Sequence, residues 1–231
     1  MTSKDEIGQL AESFNYMADS LQNLENMRRD FIANISHELR SPITSIRGFV
    51  EGMLDGTIPP EKHEYYLNVV LDESKRLTRL ISDVLDLSRL ESGEFSLKMD
   101  TFELNELIRI IIIRFENEIE AKKLNVNVVL AGENMYVIGD RDRIGQVISN
   151  LLDNAIKFTP EGGSINIKTK VNGKKIVVSI GDTGVGIPEN ELKLIWDRFH
   201  MVDKSRTQKK GTGLGLSIVR QILNQHGESI W

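Results

Sequence analysis

Four groups of residues have the types and spacing that chemistry on a phosphate would need. The first is His37 followed directly by Glu38, within Ser36-His37-Glu38-Leu39-Arg40-Ser41-Pro42. An imidazole beside a carboxylate can be deprotonated as its ring nitrogen attacks phosphorus. The same pair also fits an ordinary surface contact on a helix. The second group is Asn150, Asn154 and Lys157, whose spacings of four and three put them on one helical face. Two carboxamides and an ammonium suit a magnesium–phosphate group, with an oxygen donor for the hard cation and a positive charge for the anion. An amphipathic helix with a polar solvent face would read the same way.

The third group is Asp182-Thr183-Gly184-Val185-Gly186-Ile187, directly after the apolar run Ile176-Val177-Val178-Ser179-Ile180. A carboxylate at a strand end can accept from an amino group such as that of adenine. Gly184 and Gly186 let the backbone approach a ligand, although a plain glycine turn is equally compatible. The fourth is Gly211-Thr212-Gly213-Leu214-Gly215-Leu216, running into a helix, where glycine-framed amides form an anion site. A dinucleotide-binding reading is weak there, because neither a preceding strand nor a βαβ unit is expected. Before it, Lys204, Arg206, Lys209 and Lys210 lie in a long segment that reads as a basic lid or as a solvated charge run. His63, His200 and His226 lack a comparable setting and read as structural, and no His spacing points to a metal held by side chains alone.

Two kinds of element must position these groups. Ile7, Leu10, Phe14, Met17, Leu21 and Leu24 alternate in steps of three and four, the seam of a coiled coil. Phe31 and Ile35 resume the seam, and Pro42 predicts a kink rather than a stop. Gly56-Thr57-Ile58-Pro59-Pro60 breaks the helix. A second helix follows with Tyr66, Val70, Leu77, Ile81, Val84 and Leu87 on one face. Such a hairpin has too little surface to bury both stripes alone, so a dimeric four-helix bundle is expected, with a hairpin packed on the rest of its own chain as the alternative. Near Ser92-Gly93 the pattern changes. Short strands at 126–130, 165–169 and 176–180 mix with helices at 104–122, 140–158 and 214–226, an α/β sandwich composition.

Composition limits the remaining classes. The 231 residues contain no cysteine, which removes disulfide scaffolds, thiolate zinc and a Cys nucleophile. A formal charge of −5, from 29 basic and 34 acidic residues, argues against a nucleic-acid partner. The most apolar run, 107–114, is far shorter than the ~20 residues that cross a bilayer. The first residues lack a signal-peptide pattern, so the chain as given reads as cytoplasmic.

The order of these groups resembles that of bacterial sensor histidine kinases of the two-component systems. Phe31-Ile32-Ala33-Asn34-Ile35-Ser36-His37-Glu38-Leu39-Arg40-Ser41-Pro42 resembles the phosphoacceptor box. Asn150-Leu151-Leu152-Asp153-Asn154-Ala155-Ile156-Lys157-Phe158 resembles the N box, Asp182 to Ile187 the first glycine box, Trp196-Asp197-Arg198-Phe199 the F box, and Gly211 to Leu216 the second glycine box. Asp5-Glu6-Ile7-Gly8 with Phe14-Asn15-Tyr16-Met17 resembles the end of a HAMP relay module.

The resemblance implies a fold, a division and roles. A dimeric helical hairpin precedes an α/β sandwich ATPase domain, with residues 1–26 as the end of a relay helix, 27–95 as the phosphotransfer hairpin and 100–231 as the ATP-binding domain. His37 would take the γ-phosphoryl group of ATP with Glu38 as base, and Ser41 would serve dephosphorylation of the partner. Asn154 would ligate Mg2+, with Asn150 and Lys157 beside the phosphates. Asp182 would read adenine, while Gly184, Gly186, Phe199, Gly211, Thr212, Gly213, Leu214, Gly215 and Leu216 would line the nucleotide. The phosphoryl group would pass to an aspartate of a response regulator. A HAMP-like start implies a parent protein anchored in the bacterial membrane. Family members usually continue through two further strands beyond the position of Trp231, so the last domain is expected to be cut short. Two other readings are an inactive dimeric adaptor and a clamp ATPase of the same superfamily. The latter usually carries a catalytic Glu where Asn150 stands and lacks a His-Glu hairpin.

Overall fold

The structure is a computed structural model and describes residues 6–91, 96–132, 135–201 and 211–231. The basic residues Lys204, Arg206, Lys209 and Lys210, the side chains of Ile7 and Leu24, and the change of character at Ser92-Gly93 lie outside the described residues. The chain divides into two compact units, Met1–Leu80 and Ile81–Trp231, with the division falling inside a helix.

The first unit is a helical hairpin. Helix α1 (Glu6–Leu54) runs through Pro42 without stopping, as the apolar stripe on both sides of it requires. The proline withholds the N–H that would have gone to the Glu38 carbonyl. The turn is built by local hydrogen bonds. The Ile58 N–H reaches the Gly52 carbonyl at 2.7 Å, the Thr57 N–H reaches Asp55 Oδ1 at 2.9 Å, and Gly56 adopts φ +81°. His63 Nε2 donates to the Ile58 carbonyl at 3.0 Å, a structural role as expected. Helix α2 (His63–Glu91) then returns, and Phe49 packs on Tyr66 with ring centroids 5.0 Å apart. Leu10, Phe14, Met17 and Leu21 of the heptad seam are exposed on the single chain.

The second unit holds the end of α2 and a mixed α/β arrangement. Strand β1 (Asp100–Glu103) pairs antiparallel with β3 (Tyr136–Gly139). Strand β2 (Asn125–Val129) runs parallel to β4 (Ser164–Asn172), which pairs antiparallel with β5 (Lys175–Asp182), giving the order β2-β4-β5. The helical stretch expected over 104–122 is two helices, α3 (Leu104–Arg114) and α4 (Glu116–Ala121), separated by Phe115 at φ −98°, ψ 9°. Helix α5 (Arg141–Phe158) and helix α6 (Gly215–Gln225) complete the unit. Ile148, Leu152 and Ile156 of α5 face Ile165 and Ile167 of β4 and Ile108 and Ile111 of α3 across one buried core. This core makes α5 a rigid mount for its polar face.

Asp140 ties three segments together at the start of α5. It is 4% exposed, and its Oδ1 accepts from the Asp142 and Arg143 N–H groups at 3.1 Å each. Its Oδ2 accepts from the Lys98 N–H at 3.0 Å. Its own N–H donates to His226 Nε2 at 3.0 Å, while His226 Nδ1 donates to the Ile222 carbonyl at 2.8 Å. Burial opposes ionisation of Asp140, but these backbone donors and the Arg143 guanidinium outweigh it and hold the carboxyl below its ordinary value of 3.8. The resulting stabilisation is complete above that value and is lost as pH falls through the lower folded-state pKa. Asp140→Asn should therefore cost about 1–2 kcal/mol at neutral pH, since one accepting oxygen becomes a donor. Urea unfolding of both proteins should show the gap closing only below about pH 4. A gap of constant size down to about pH 3 would disprove the charge argument.

Candidate functional site

In the hairpin unit, α1 presents His37 with its side chain 78% exposed and Glu38 19% exposed. Glu38 Oε1 lies 3.8 Å from His37 Nδ1. Its other oxygen accepts from Arg76 Nη2 of α2 at 3.0 Å, and Arg76 Nη1 is 3.7 Å from the Glu73 carboxylate. The carboxylate is thus oriented from the opposite helix, with one oxygen left toward the imidazole. Sequence reasoning did not single out Arg76, which this contact brings to Glu38. Ser41 lies one turn beyond His37 on the same face and is exposed.

In the second unit the polar face of α5 carries Asn150, Asn154 and Lys157, all half-buried. Asn150 Nδ2 donates to the Gly215 carbonyl at 3.3 Å, so it ties α5 to the start of α6. Asn154 makes no side-chain hydrogen bond among the described residues, which leaves its carboxamide oxygen available. Lys157 pairs with the Asp153 carboxylate one turn before it.

The turn after β5 rests on the last turn of α5. Thr183 is anchored to β4 twice, through its N–H to the Ser164 carbonyl at 3.0 Å and through the Ser164 N–H to its Oγ1 at 2.9 Å. Asp182 is exposed, and its Oδ1 accepts from the Gly184 N–H at 2.8 Å. A Cβ at Gly184 would sit 2.6 Å from that oxygen and 2.7 Å from the Phe158 carbonyl oxygen, so only glycine fits. Gly186 has φ +70°, the left-handed region that glycine tolerates. A hollow of about 440 Å³ adjoins this turn, lined by Lys122, Phe158, Pro160, Glu161 and Val185 among others.

The F-box-like and second glycine segments meet backbone to backbone. The Phe199 N–H donates to the Gly213 carbonyl at 2.9 Å, and a Cβ on Gly213 would lie 2.7 Å from Phe199 Cα. Phe199 itself has φ +57°, uncommon for an aromatic residue. Thr212 Oγ1 accepts from the Leu214 N–H at 3.3 Å and donates to Asp83 Oδ2, near the end of α2 in the same unit, at 3.1 Å. Leu214 is fully buried, Leu216 and Gly211 are half-buried, and Gly215 faces Asn150. His200 lies with Nε2 2.6 Å from Glu191 Oε2, bracing the segment after Phe199. This unit therefore joins Asn150 to Gly215, Asp182 to Gly184 and Phe199 to Gly213, while His37, Glu38 and Ser41 belong to the hairpin. Among the described residues no cluster of three or more His, Cys, Asp or Glu could hold a metal ion, and no helix is long and apolar enough to cross a membrane.

Three family models match the chain. They are the HAMP domain over residues 1–23, the His Kinase A (phospho-acceptor) domain over 27–93, and the histidine kinase-, DNA gyrase B- and HSP90-like ATPase over 139–231. Histidine kinase AdeS of Acinetobacter baumannii is 30% identical, with a TM-score of 0.67, over 81% of this chain and 86% of that one. The chain belongs to the bacterial sensor histidine kinases. Sensor histidine kinase WalK of Bacillus subtilis is 35% identical over 94% of this chain and 36% of WalK, so the chain spans about a third of that relative's length. Histidine kinase ThkA, solved in complex with response regulator protein TrrA, is 32% identical with a TM-score of 0.71 over 98% of this chain and 62% of that one. The helical hairpin followed by an α/β ATPase unit, expected from the motifs, is the architecture of these sensor histidine kinases. The phospho-acceptor match over the hairpin separates the chain from the gyrase- and HSP90-like members that share its ATPase model.

Proposed function

We propose that this chain is the catalytic core of a sensor histidine kinase, which phosphorylates His37 with ATP and passes the group to an aspartate of a response regulator. The observation that carries the reading is the Glu38 carboxylate, fixed by Arg76 on one oxygen and facing His37 Nδ1 with the other. That arrangement turns Nε2 outward as the nucleophile. As Nε2 bonds to the γ-phosphorus, the bond from phosphorus to the β,γ-bridging oxygen breaks and ADP leaves. The proton on Nδ1 is then drawn toward Glu38, which keeps the phosphorylated ring neutral.

Lys157 and the glycine-framed amides of residues 211–216 supply the positive charge and N–H groups that such a transfer needs, since positioning and charge neutralisation carry most of its catalysis. Asp182 reads the adenine amino group, and Gly184 and Gly186 let the backbone close on the base. The residues present fit Mg2+, because the Asn154 carboxamide is a hard oxygen donor not engaged elsewhere among the described residues. Asn154 would hold the ion, which would supply charge neutralisation to the phosphates.

In this reading residues 1–26 end a relay helix, 27–95 form the phosphotransfer hairpin and 100–231 bind ATP. The exposed Leu10, Phe14, Met17 and Leu21 seam is covered by a second copy of the chain. Ser41, one turn from His37, takes part in dephosphorylating the regulator. The HAMP match supports a parent anchored in the bacterial membrane with this portion in the cytoplasm. Incubation with γ-labelled ATP and magnesium should place label on the protein in a form lost in acid and kept in alkali, whereas α-labelled ATP should leave none. Acid-stable label, or bound ATP that never labels the chain, would overturn the reading.

A further inference from the structure

The last turn of α5 ends on a side chain from elsewhere in the fold. Lys122, which caps α4, directs its ammonium to three backbone carbonyls: Ile156 at 2.6 Å, Thr159 at 2.9 Å and Lys157 at 3.1 Å. A helix leaves its last carbonyls without intrahelical donors, and an ammonium brings three N–H groups and a positive charge to the negative end of the helix dipole. Three donors therefore meet three acceptors.

The backbone around Lys122 is stitched to the same place. Its carbonyl accepts from the Gly162 N–H at 3.0 Å, and the Asn125 N–H reaches the Gly163 carbonyl at 2.8 Å. On the other side of this turn sits Gly184, packed so closely on the Phe158 carbonyl that no Cβ fits. The turn held by Lys122 is thus the floor on which the Asp182–Gly184 turn rests. Surface lysine pairs nearby, such as Lys123 with Glu161 at 2.6 Å, make no comparable convergence on backbone.

We infer that Lys122 is a positioning residue of the nucleotide site: by gathering the carbonyls at the end of α5 it holds the floor of the Asp182–Gly184 turn in the geometry that receives the base of ATP. This rests on the kinase reading and adds a residue to it. Lys122 acts through the turn rather than on the reacting atoms, so its loss changes affinity rather than transfer.

The test uses the whole chain, with calorimetric titration of ATP and the labelling assay at saturating ATP. Lys122→Met should raise Kd and KM for ATP by about 10-fold, with the number of sites per chain and the saturated labelling rate kept. A lysine that served folding alone would lower the number of sites at unchanged Kd, and that result would overturn the inference. Lys122→Arg, which keeps charge and donors in a planar fork, should give an intermediate Kd. Where Lys122→Met does not fold, Lys122→Arg decides on the same readings: a raised Kd at full site number supports the role, and an unchanged Kd overturns it. Lys123→Met should leave Kd unchanged, and an equal rise there would overturn the specific role of Lys122. A wild-type chain that binds no ATP would overturn the kinase reading and this inference together. Wild-type binding with an unchanged Lys122→Met overturns this inference alone.

Discussion

His37→Gln is expected to abolish acid-labile labelling, a loss of more than about 1,000-fold, while ATP affinity and thermal stability stay at wild-type values. Glutamine keeps the length and helix compatibility of the side chain but offers no nitrogen that can carry a phosphoryl group. The side chain is 78% exposed and packs against no core, so its replacement should shift stability by less than about 0.5 kcal/mol. Activity and stability are therefore separated at this position. Glu38→Gln should lower the labelling rate by about 100-fold or more without changing ATP affinity, because the proton on Nδ1 loses its acceptor. It also weakens the link to Arg76, so a moderate fall in melting temperature should accompany it. Label of unchanged acid-labile character in His37→Gln would assign the phosphoryl group to another residue.

Gly184→Ala should damage the ATP-binding unit severely, with ATP affinity reduced by about 100-fold or more. The added methyl would meet the Asp182 carboxylate at 2.6 Å and the Phe158 carbonyl at 2.7 Å. The first of these can rotate away, which removes Asp182 from its bond with the Gly184 N–H. The second is backbone at the end of a packed helix and yields only if the last turn of α5 moves. Overpacking of this kind costs about 1–3 kcal/mol, and here the displaced atoms carry Asp182 and Lys157. Gly186→Ala provides the contrast. No atom lies within 4 Å of its added methyl, and only φ +70° is unfavourable, a cost of about 1–2 kcal/mol. Calorimetric titration of the two variants should separate them by at least about tenfold in Kd. Equal affinities would show that the close approach to α5 does not shape the site.

Most elements were legible because their signals are local. Asp140 before an amphipathic run marks the start of α5, and glycine with proline marks the hairpin turn at residues 56–60. Strands β1 and β3 left no such signal. Each is four residues long, and β1 buries only Phe102 fully, so there is no alternation to read. The break at Phe115 was hidden as well, because Ile112, Phe115 and Ile119 continue an apolar rhythm across it. Ile81 and Leu87 share one face of α2, yet on the single chain Ile81 is exposed while Leu87 is buried. Burial there is set by neighbouring segments rather than by helix period.

Side-chain chemistry spaced along one element is readable from order alone, because helix and strand geometry convert sequence distance into spatial distance. His37 with Glu38, Asn150 with Asn154 and Lys157, and the two glycine groups are of this kind. Partners that arrive from distant segments carry no such record. Arg76 reaches Glu38 across 38 positions, Lys122 reaches Ile156 across 34, and Asn150 reaches Gly215 across 65. Each of these is an ordinary surface-type residue in its own neighbourhood, and its role exists only after packing of the core brings the two segments together. The same holds for Gly184. A glycine in a turn is visible in the chain, but its necessity comes from the Phe158 carbonyl that α5 places against it.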